Sequence, residues 1–230
     1  MTLPAVSHWM RQSPNKRYGL SHPPWRRHVF AVPQTLMLDG LDEEVAEAFQ
    51  RALKRLAQAG ARIEAIPCSE FAELAEINAA GGFTALESWH WHQSLIAENA
   101  EGYDPRVLSR IRRGQPLGES DLQQLRQLRA SWQQRVTARV QGFDALLMPT
   151  APLIAPTLAE LAEDDEAYFG ANGAALRNPS VINFLDGCAL SLPCQRPGEA
   201  PVGLMVAGLP MHDQALLGWA LAIERCLADA

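Results

Sequence analysis

The chain has 230 residues, 47% hydrophobic and 20% charged, an ordinary globular composition with enough apolar material to bury a core. Its formal charge of −6 excludes nucleic acid as an expected partner, because phosphate binding needs a basic face. No apolar run reaches the roughly 18–20 residues of a membrane-spanning helix, and no signal-peptide core follows Arg26-Arg27, so no membrane partner and a cytoplasmic location are expected.

Residues 1–28 carry Pro4, Pro14, Pro23 and Pro24 and show neither helical nor strand periodicity, which predicts an irregular arm with Trp9 and Trp25 as anchors. Residues 29–230 are expected to form one domain. His28 to Pro33 is a short apolar run closed by proline, a buried strand. Asp42 is placed to cap a helix in which Val45, Phe49, Leu53 and Leu56 share a face, and Gly60 to end it. Arg62 to Pro67 reads as the next strand, which makes a βαβ-like unit.

Residues 70–99 read as a long helical region interrupted at Gly81-Gly82, where a glycine pair costs about 2 kcal/mol and predicts a kink, a close backbone contact or a pocket wall. His90 and His92 lie about 200° apart on a helix, too far to share a metal. Pro105 opens a short helix rich in arginine, and Gly118 to Gln141 is the longest uninterrupted helix, with Leu122, Leu125, Leu128, Trp132 and Val136 along its stripe. Asp144 to Thr150 is a buried strand, and the prolines from Pro149 to Pro156 impose a loop. The acidic run at Glu163-Asp164-Asp165-Glu166 lacks the alternation of a calcium loop and reads as solvated surface.

The most particular stretch is Leu176 to Glu224. It reads as a short helix, a glycine turn, a strand from Ala189 to Pro193, a strand from Val202 to Gly208 and a closing helix capped by Asp213. Asn183 is placed to bond backbone where the helix gives way to the turn at Gly187.

The chemistry-bearing residues are sparse. Of the 20 basic residues only Lys16 and Lys54 are lysines, and arginine is a poor general base. There is no Ser-Ser dipeptide, no G-x-S-x-G elbow and no phosphate-binding glycine loop. Cys68, Cys188, Cys194 and Cys226 lack CxxC spacing and read as buried thiols; a Cys–His dyad at Cys188 or Cys194 is disfavoured by their apolar surroundings.

With these residues in place, the segment from Asn183 through Gly187, Ala189, Ser191, Pro193, Cys194, Pro201, Gly203, Leu204 and Asp213 to Glu224 resembles the C-terminal core of the amidase signature family. Phe143-Asp144 with Leu146 to Thr150, Tyr103 to Val107, and the helix from Leu41 to Gly60 extend the resemblance from about Val29 to Leu227. The resemblance implies an α/β fold, a mixed β-sheet flanked by helices. It also implies hydrolysis of a carboxamide C–N bond to acid and ammonia by a Ser–Ser–Lys triad, without cofactor or metal.

The family's lysine and its Gly-Ser-rich loop lie upstream of this core and have no counterpart here, so no catalytic residue is assigned. Gln195 and Met205 depart from the family's glycine and glutamine. Pro149, Thr150, Asn183, Gly187, Ser191, Pro193, Cys194 and Gly203 are the substrate-side or family-motif candidates. The expected partners are a small amide substrate and either an N-terminal amidase half or further copies of the chain. The competing expectation is a truncated, non-catalytic relative that binds or oligomerises.

Overall fold

The computed structural model describes residues 28–162 and 164–228; the arm, with Trp9, Trp25 and Lys16, lies outside them, as does Glu163. Two compact units emerge. The first comprises the described residues up to Cys68 together with those from Thr137 onward; the second is Ser69–Val136. In chain order the helices are α1 (Glu43–Gln58), α2 (Leu74–Ile77), α3 (Gly82–Asn99), α4 (Pro105–Arg112), α5 (Glu119–Val140), α6 (Leu158–Ala162), α7 (Asp165–Leu185) and α8 (Asp213–Ala228).

The first unit is built on a five-stranded sheet. Strands β1 (Val29–Pro33), β2 (Arg62–Ile66), β3 (Ala145–Pro149), β4 (Cys188–Pro193) and β5 (Gly203–Gly208) stand in the order β2-β1-β3-β5-β4. β1 runs parallel to β2 and β3, whereas β5 runs antiparallel to both its neighbours, β3 and β4. Helix α1 supplies the crossover between β1 and β2, so the βαβ unit expected from the sequence is present and parallel.

α1 forms for the reasons its sequence suggested. Val45, Ala48, Phe49, Ala52 and Leu56 are buried on one face, Glu43 and Glu44 occupy the first turn, and Gly60 takes φ +102° just past the end. Asp42 differs from expectation. Its side chain makes no capping bond; Oδ2 instead accepts from the Ile154 amide at 2.9 Å, while its own amide donates to the Pro152 carbonyl. The proline-rich loop after β3 competes for the carboxylate and wins.

The closing helix α8 packs beside α1 on one sheet face. Phe49, Leu56, Leu216, Trp219, Ala220 and Ile223 meet Phe30, Val32, Leu147, Leu192, Leu204 and Val206 there. Asp213 is the first residue of α8 and not the residue before it, so its charge lies in the first turn. Trp219 packs against His28 with the rings tilted by 58° and their centroids 3.9 Å apart, and meets Phe30 edge-on. His28 Nδ1 lies 3.0 Å from Asp144 Oδ1, and Asp144 Oδ2 accepts from the Val29 amide at 2.8 Å. One carboxylate thus ties the start of β1 to the residue before β3.

α7, the helix before β4, is longer than the sequence suggested. It is begun by Asp164, whose side chain accepts from the Glu166 and Ala167 amides, and it contains Pro179. Sequence periodicity is lost at the proline, but the proline removes only one ladder bond, and the residues after it pack inward at Val181, Ile182 and Leu185. Its left-handed end residue is Asp186 (φ 63°), so the turn expected at Gly187 is made one residue earlier. A Cβ on Gly187 would lie 2.6 Å from the Gly208 carbonyl oxygen; this glycine is required by close approach of β5.

The second unit is helical. The chain from Ser69 is a 3₁₀ turn, then α2 and, after a break, α3. α2 ends at Ile77, and Gly81 (φ +120°) and Gly82 (φ +60°) are the cap and first residue of α3, so the interruption is a break between two helices and not a kink. A Cβ on Gly81 would lie 2.6 Å from that of Ala85, the close contact expected there. α4 follows, with Asp104 accepting from the Arg106 and Val107 amides. The long helix α5 leaves the unit at Val136. Within the unit Trp132 is fully buried beside Phe71 and donates to the Glu70 carbonyl, and His92 Nδ1 lies 2.9 Å from the Tyr103 hydroxyl.

Candidate functional site

The family-motif residues fall at three places in the first unit. Pro149 ends β3 and Thr150 follows it; the Thr150 amide donates to the Gly203 carbonyl at 2.8 Å, which continues the β3–β5 ladder by one residue. Across β5, Gly203 faces Pro193 of β4, and Ser191 faces Met205. The two neighbours of β5 therefore place Thr150 and Ser191 on either side of its start.

Thr150 Oγ1 and Ser191 Oγ lie 2.6 Å apart, a hydrogen bond in which either can donate. They meet because the strand between them carries no side chain at that point. A Cβ on Gly203 would overlap Ser191 Oγ and lie 2.6 Å from Thr150 Oγ1. Ser191 and Pro193 are exposed and Thr150 and Gly203 half-buried, so the hydroxyl pair opens to the outside of the unit. One hydroxyl donates within the pair; the other keeps a proton for a third group. Such a pair can orient a polar ligand. Among the described residues no hydrogen bond joins the pair to the adjacent base a serine needs to become a nucleophile.

The remaining candidates are elsewhere. Cys194, one residue past β4, points to the opposite sheet face and packs against the α1–α8 core. Its Sγ lies 3.5 Å from the Val202 carbonyl, and burial pushes its thiol up to about 12, against which nearby Arg51 works only partly. Burial, and then the charge of Asp213, also raise the Cys188 thiol. Neither sulfur is held as a thiolate, which disfavours the Cys–His alternative on physical grounds. Iodoacetamide at pH 8 is expected to label Cys194 at least about tenfold more slowly in the folded chain than in urea, read by mass spectrometry of the tryptic peptides. Because the folded thiol keeps its proton above the ordinary value of 9.0, this group's contribution to stability is complete below pH 9 and declines as pH rises towards 12.

Gly187 stands just before β4 and Ser191 is four residues on, about 13 Å along an extended strand. Asn183 is exposed on the last turn of α7. The structure thus gathers Pro149, Thr150, Ser191, Pro193 and Gly203, and leaves Asn183, Gly187 and Cys194 outside that group. Lys54 is exposed on α1. Among the described residues no cluster of three or more His, Cys, Asp or Glu could hold a metal ion, and no helix is long and apolar enough to cross a membrane.

A residue that sequence reasoning passed over supports the site from beneath. Asn178 is fully buried, and its Nδ2 donates to the Pro149 carbonyl at 2.7 Å and to the Met37 carbonyl at 3.1 Å. Its Oδ1 accepts from Arg177 Nε at 3.1 Å. All the side chain's main valences are used, and the end of β3 is fastened next to Thr150. The signal available in the sequence was a polar Arg-Asn pair directly before a proline inside an otherwise apolar segment.

Comparison with known proteins decides the lineage. The Amidase family model matches residues 11–217. The chain belongs to the Amidase family. The match begins within the segment that the sequence suggests is an arm.

A 2-amino-5-chloromuconic acid deaminase of Comamonas testosteroni is 34% identical over 203 residues, which are 86% of this chain and 43% of the relative. A glutamyl-tRNA(Gln) amidotransferase subunit from Desulforamulus reducens is 26% identical, over 84% of this chain and 44% of its own length. Among solved structures, an amidase superposes with a TM-score of 0.74 at 26% identity, covering 90% of this chain and 48% of the amidase. An allophanate hydrolase of Kluyveromyces lactis gives 0.75 at 23% identity over 87% of this chain and 32% of its own, which supports the fold alone. The mixed sheet with flanking helices is therefore the amidase fold in part. The chain spans about half the length of the curated relatives it matches.

Proposed function

We propose that these residues form the substrate-side half of an amidase, which hydrolyses a small carboxamide at its C–N bond to acid and ammonia when completed by polypeptide carrying a serine nucleophile and its lysine base. The observation that carries this reading is the exposed Thr150–Ser191 hydroxyl pair over Gly203. It is a polar, orientable and solvent-facing group at family-motif positions, hydrogen-bonded to no base among the described residues.

In this reading Pro149, Thr150, Ser191, Pro193 and Gly203 wall the substrate side, whereas Asn183, Gly187 and Cys194 serve the architecture. The completing polypeptide is an N-terminal amidase half; assembly with further copies of the chain is the second arrangement to be considered. The working location is the cytoplasm.

The test is ammonia release from simple carboxamides, and from an amino-substituted muconic acid in view of the deaminase relative. The chain is assayed alone and co-expressed with the part of the Comamonas testosteroni protein that it does not match. Release only from the combination is expected. Gly203→Ala should then lower kcat/KM about tenfold by parting the two hydroxyls, at a stability cost near ~1 kcal/mol. Release from the chain alone, lost in Ser191→Ala, overturns the reading. A complex that binds amides without releasing ammonia favours the non-catalytic alternative.

A further inference from the structure

The strand order of the sheet reverses between β1 and β3. From β1 the chain moves outward to β2, and from β3 it moves outward the other way, to β4 and β5. In open α/β sheets the crevice at the carboxyl ends of two such parallel strands is where ligands are held. Met37 lies just beyond the end of β1 and Pro149 ends β3, and Asn178 joins their carbonyls across that crevice. Arg177, its neighbour on α7, therefore stands at the switch point of the sheet.

The Arg177 guanidinium is committed on one side only. Nε donates to Asn178 Oδ1 at 3.1 Å, which fixes the plane of the group. The residue is half-buried, but Nη2 is fully buried and has no hydrogen-bond partner among the described residues. Burial lowers the pKa of this side chain, and the charge of Asp39 offsets that only in part. An unpaired N–H on a buried charged group is costly, and an acceptor supplied by a ligand removes the cost.

We propose that Arg177 anchors a carboxylate on the ligand of this unit, so that the amide handled at this site is itself a monoacid. With Nε engaged, the Nη1–Nη2 edge is the fork that takes a planar carboxylate end-on. One guanidinium with Asp39 nearby balances a single negative charge, which favours a carboxylate over a phosphate dianion. The Asn178 bond to Pro149 also puts the anchor at the end of β3 that carries Thr150, so acid anchor and hydroxyl pair share one end of the sheet. The inference rests on the completion reading for its reaction, and on the chain alone for its binding.

Succinamate, with one carboxylate and one carboxamide, is the probe, and succinamide is its neutral counterpart. In an NMR titration of the chain alone, succinamate should shift the Arg177 Nε–H and the Met37 and Asn178 amides. It should bind at least about tenfold more tightly than succinamide. Arg177→Gln keeps a donor for Asn178 Oδ1 without the charge and should abolish that preference. Arg177→Lys keeps the charge without the fork and should lose most of it. In the co-expressed complex, Arg177→Gln should lower kcat/KM for succinamate at least about tenfold more than for propionamide.

Equal binding of the two amides by the parent chain, no binding of either, or shifts confined to other residues overturns the inference, whether or not the variants fold. So does a complex that treats succinamate and propionamide alike, because the completing polypeptide then supplies the acceptor. If that complex releases ammonia, the completion reading survives and only the anchor is lost. Succinamate bound at Arg177 with no ammonia from the complex keeps the anchor and removes the activity.

Discussion

Replacing Asn178 with leucine should destabilise the first unit by about 3–4 kcal/mol, seen as a lower urea midpoint with little change in slope. The substitution preserves volume approximately, so the loss is not one of packing. It comes from three polar groups left without partners: the Pro149 and Met37 carbonyls and the Arg177 Nε–H. Each buried orphan costs on the order of 1–3 kcal/mol, and the total falls below their sum because Arg177 is only half-buried and can turn to water.

Asn178→Asp separates this explanation from a steric one. It is nearly isosteric, yet it removes both donated bonds and brings a carboxylate against two carbonyl oxygens. It should therefore be at least as harmful as leucine at neutral pH and recover partly in acid, where the protonated carboxyl donates once. Equal stability of the aspartate variant and the parent would contradict the assignment. In the completed enzyme the leucine variant should also lose activity beyond its loss of folded fraction, because Pro149 immediately precedes Thr150.

The second large effect belongs to the helical unit. Trp132→Ala should cost about 3–5 kcal/mol, the range for emptying a large aromatic site. Trp132 is fully buried, its ring centroid lies 6.1 Å from that of Phe71, and its Nε1 donates to the Glu70 carbonyl at 2.6 Å. Trp132→Phe keeps much of the apolar contact and drops the donor, so about 1–2 kcal/mol is expected. Hydrogen exchange should localise the damage to Ser69–Val136 and leave β1 through β5 at parental rates. Uniform loss of protection across both units would show that they do not unfold separately.

Much of the fold was legible because local pattern and tertiary outcome agreed. The β1–α1–β2 unit follows from an apolar run ended by proline, a four-four-three helical spacing and Gly60, and each was sufficient without knowledge of its neighbours. The failures share one cause: a side chain or backbone committed to a partner distant in sequence. Asp42 had every local reason to cap α1, but the amide of Ile154 takes its carboxylate. Gly187 reads as a turn residue and is instead kept bare by the Gly208 carbonyl.

The site divides along the same line. Thr150, Ser191 and Gly203 could be singled out by motif, but their convergence depends on strand order, with β5 inserted between β3 and β4. No spacing in the sequence reveals that order. Asn178 was missed for a related reason: its two carbonyl partners, at Met37 and Pro149, lie 141 and 29 residues away.

The clasp between Asp144 and the start of β1 bears on how the chain is made. His28 and Val29 meet this carboxylate across more than a hundred residues, a span that includes the entire helical unit. During synthesis at about 5–20 residues per second, β1 and β2 emerge several seconds or more before β3 can join them. Closing so long a loop is entropically unfavourable, and its cost grows only slowly with length, so early folding of Ser69–Val136 shortens the effective tether. The helical unit can in this way act as a scaffold in time, bringing the two portions of the sheet within reach before the last strands have left the ribosome.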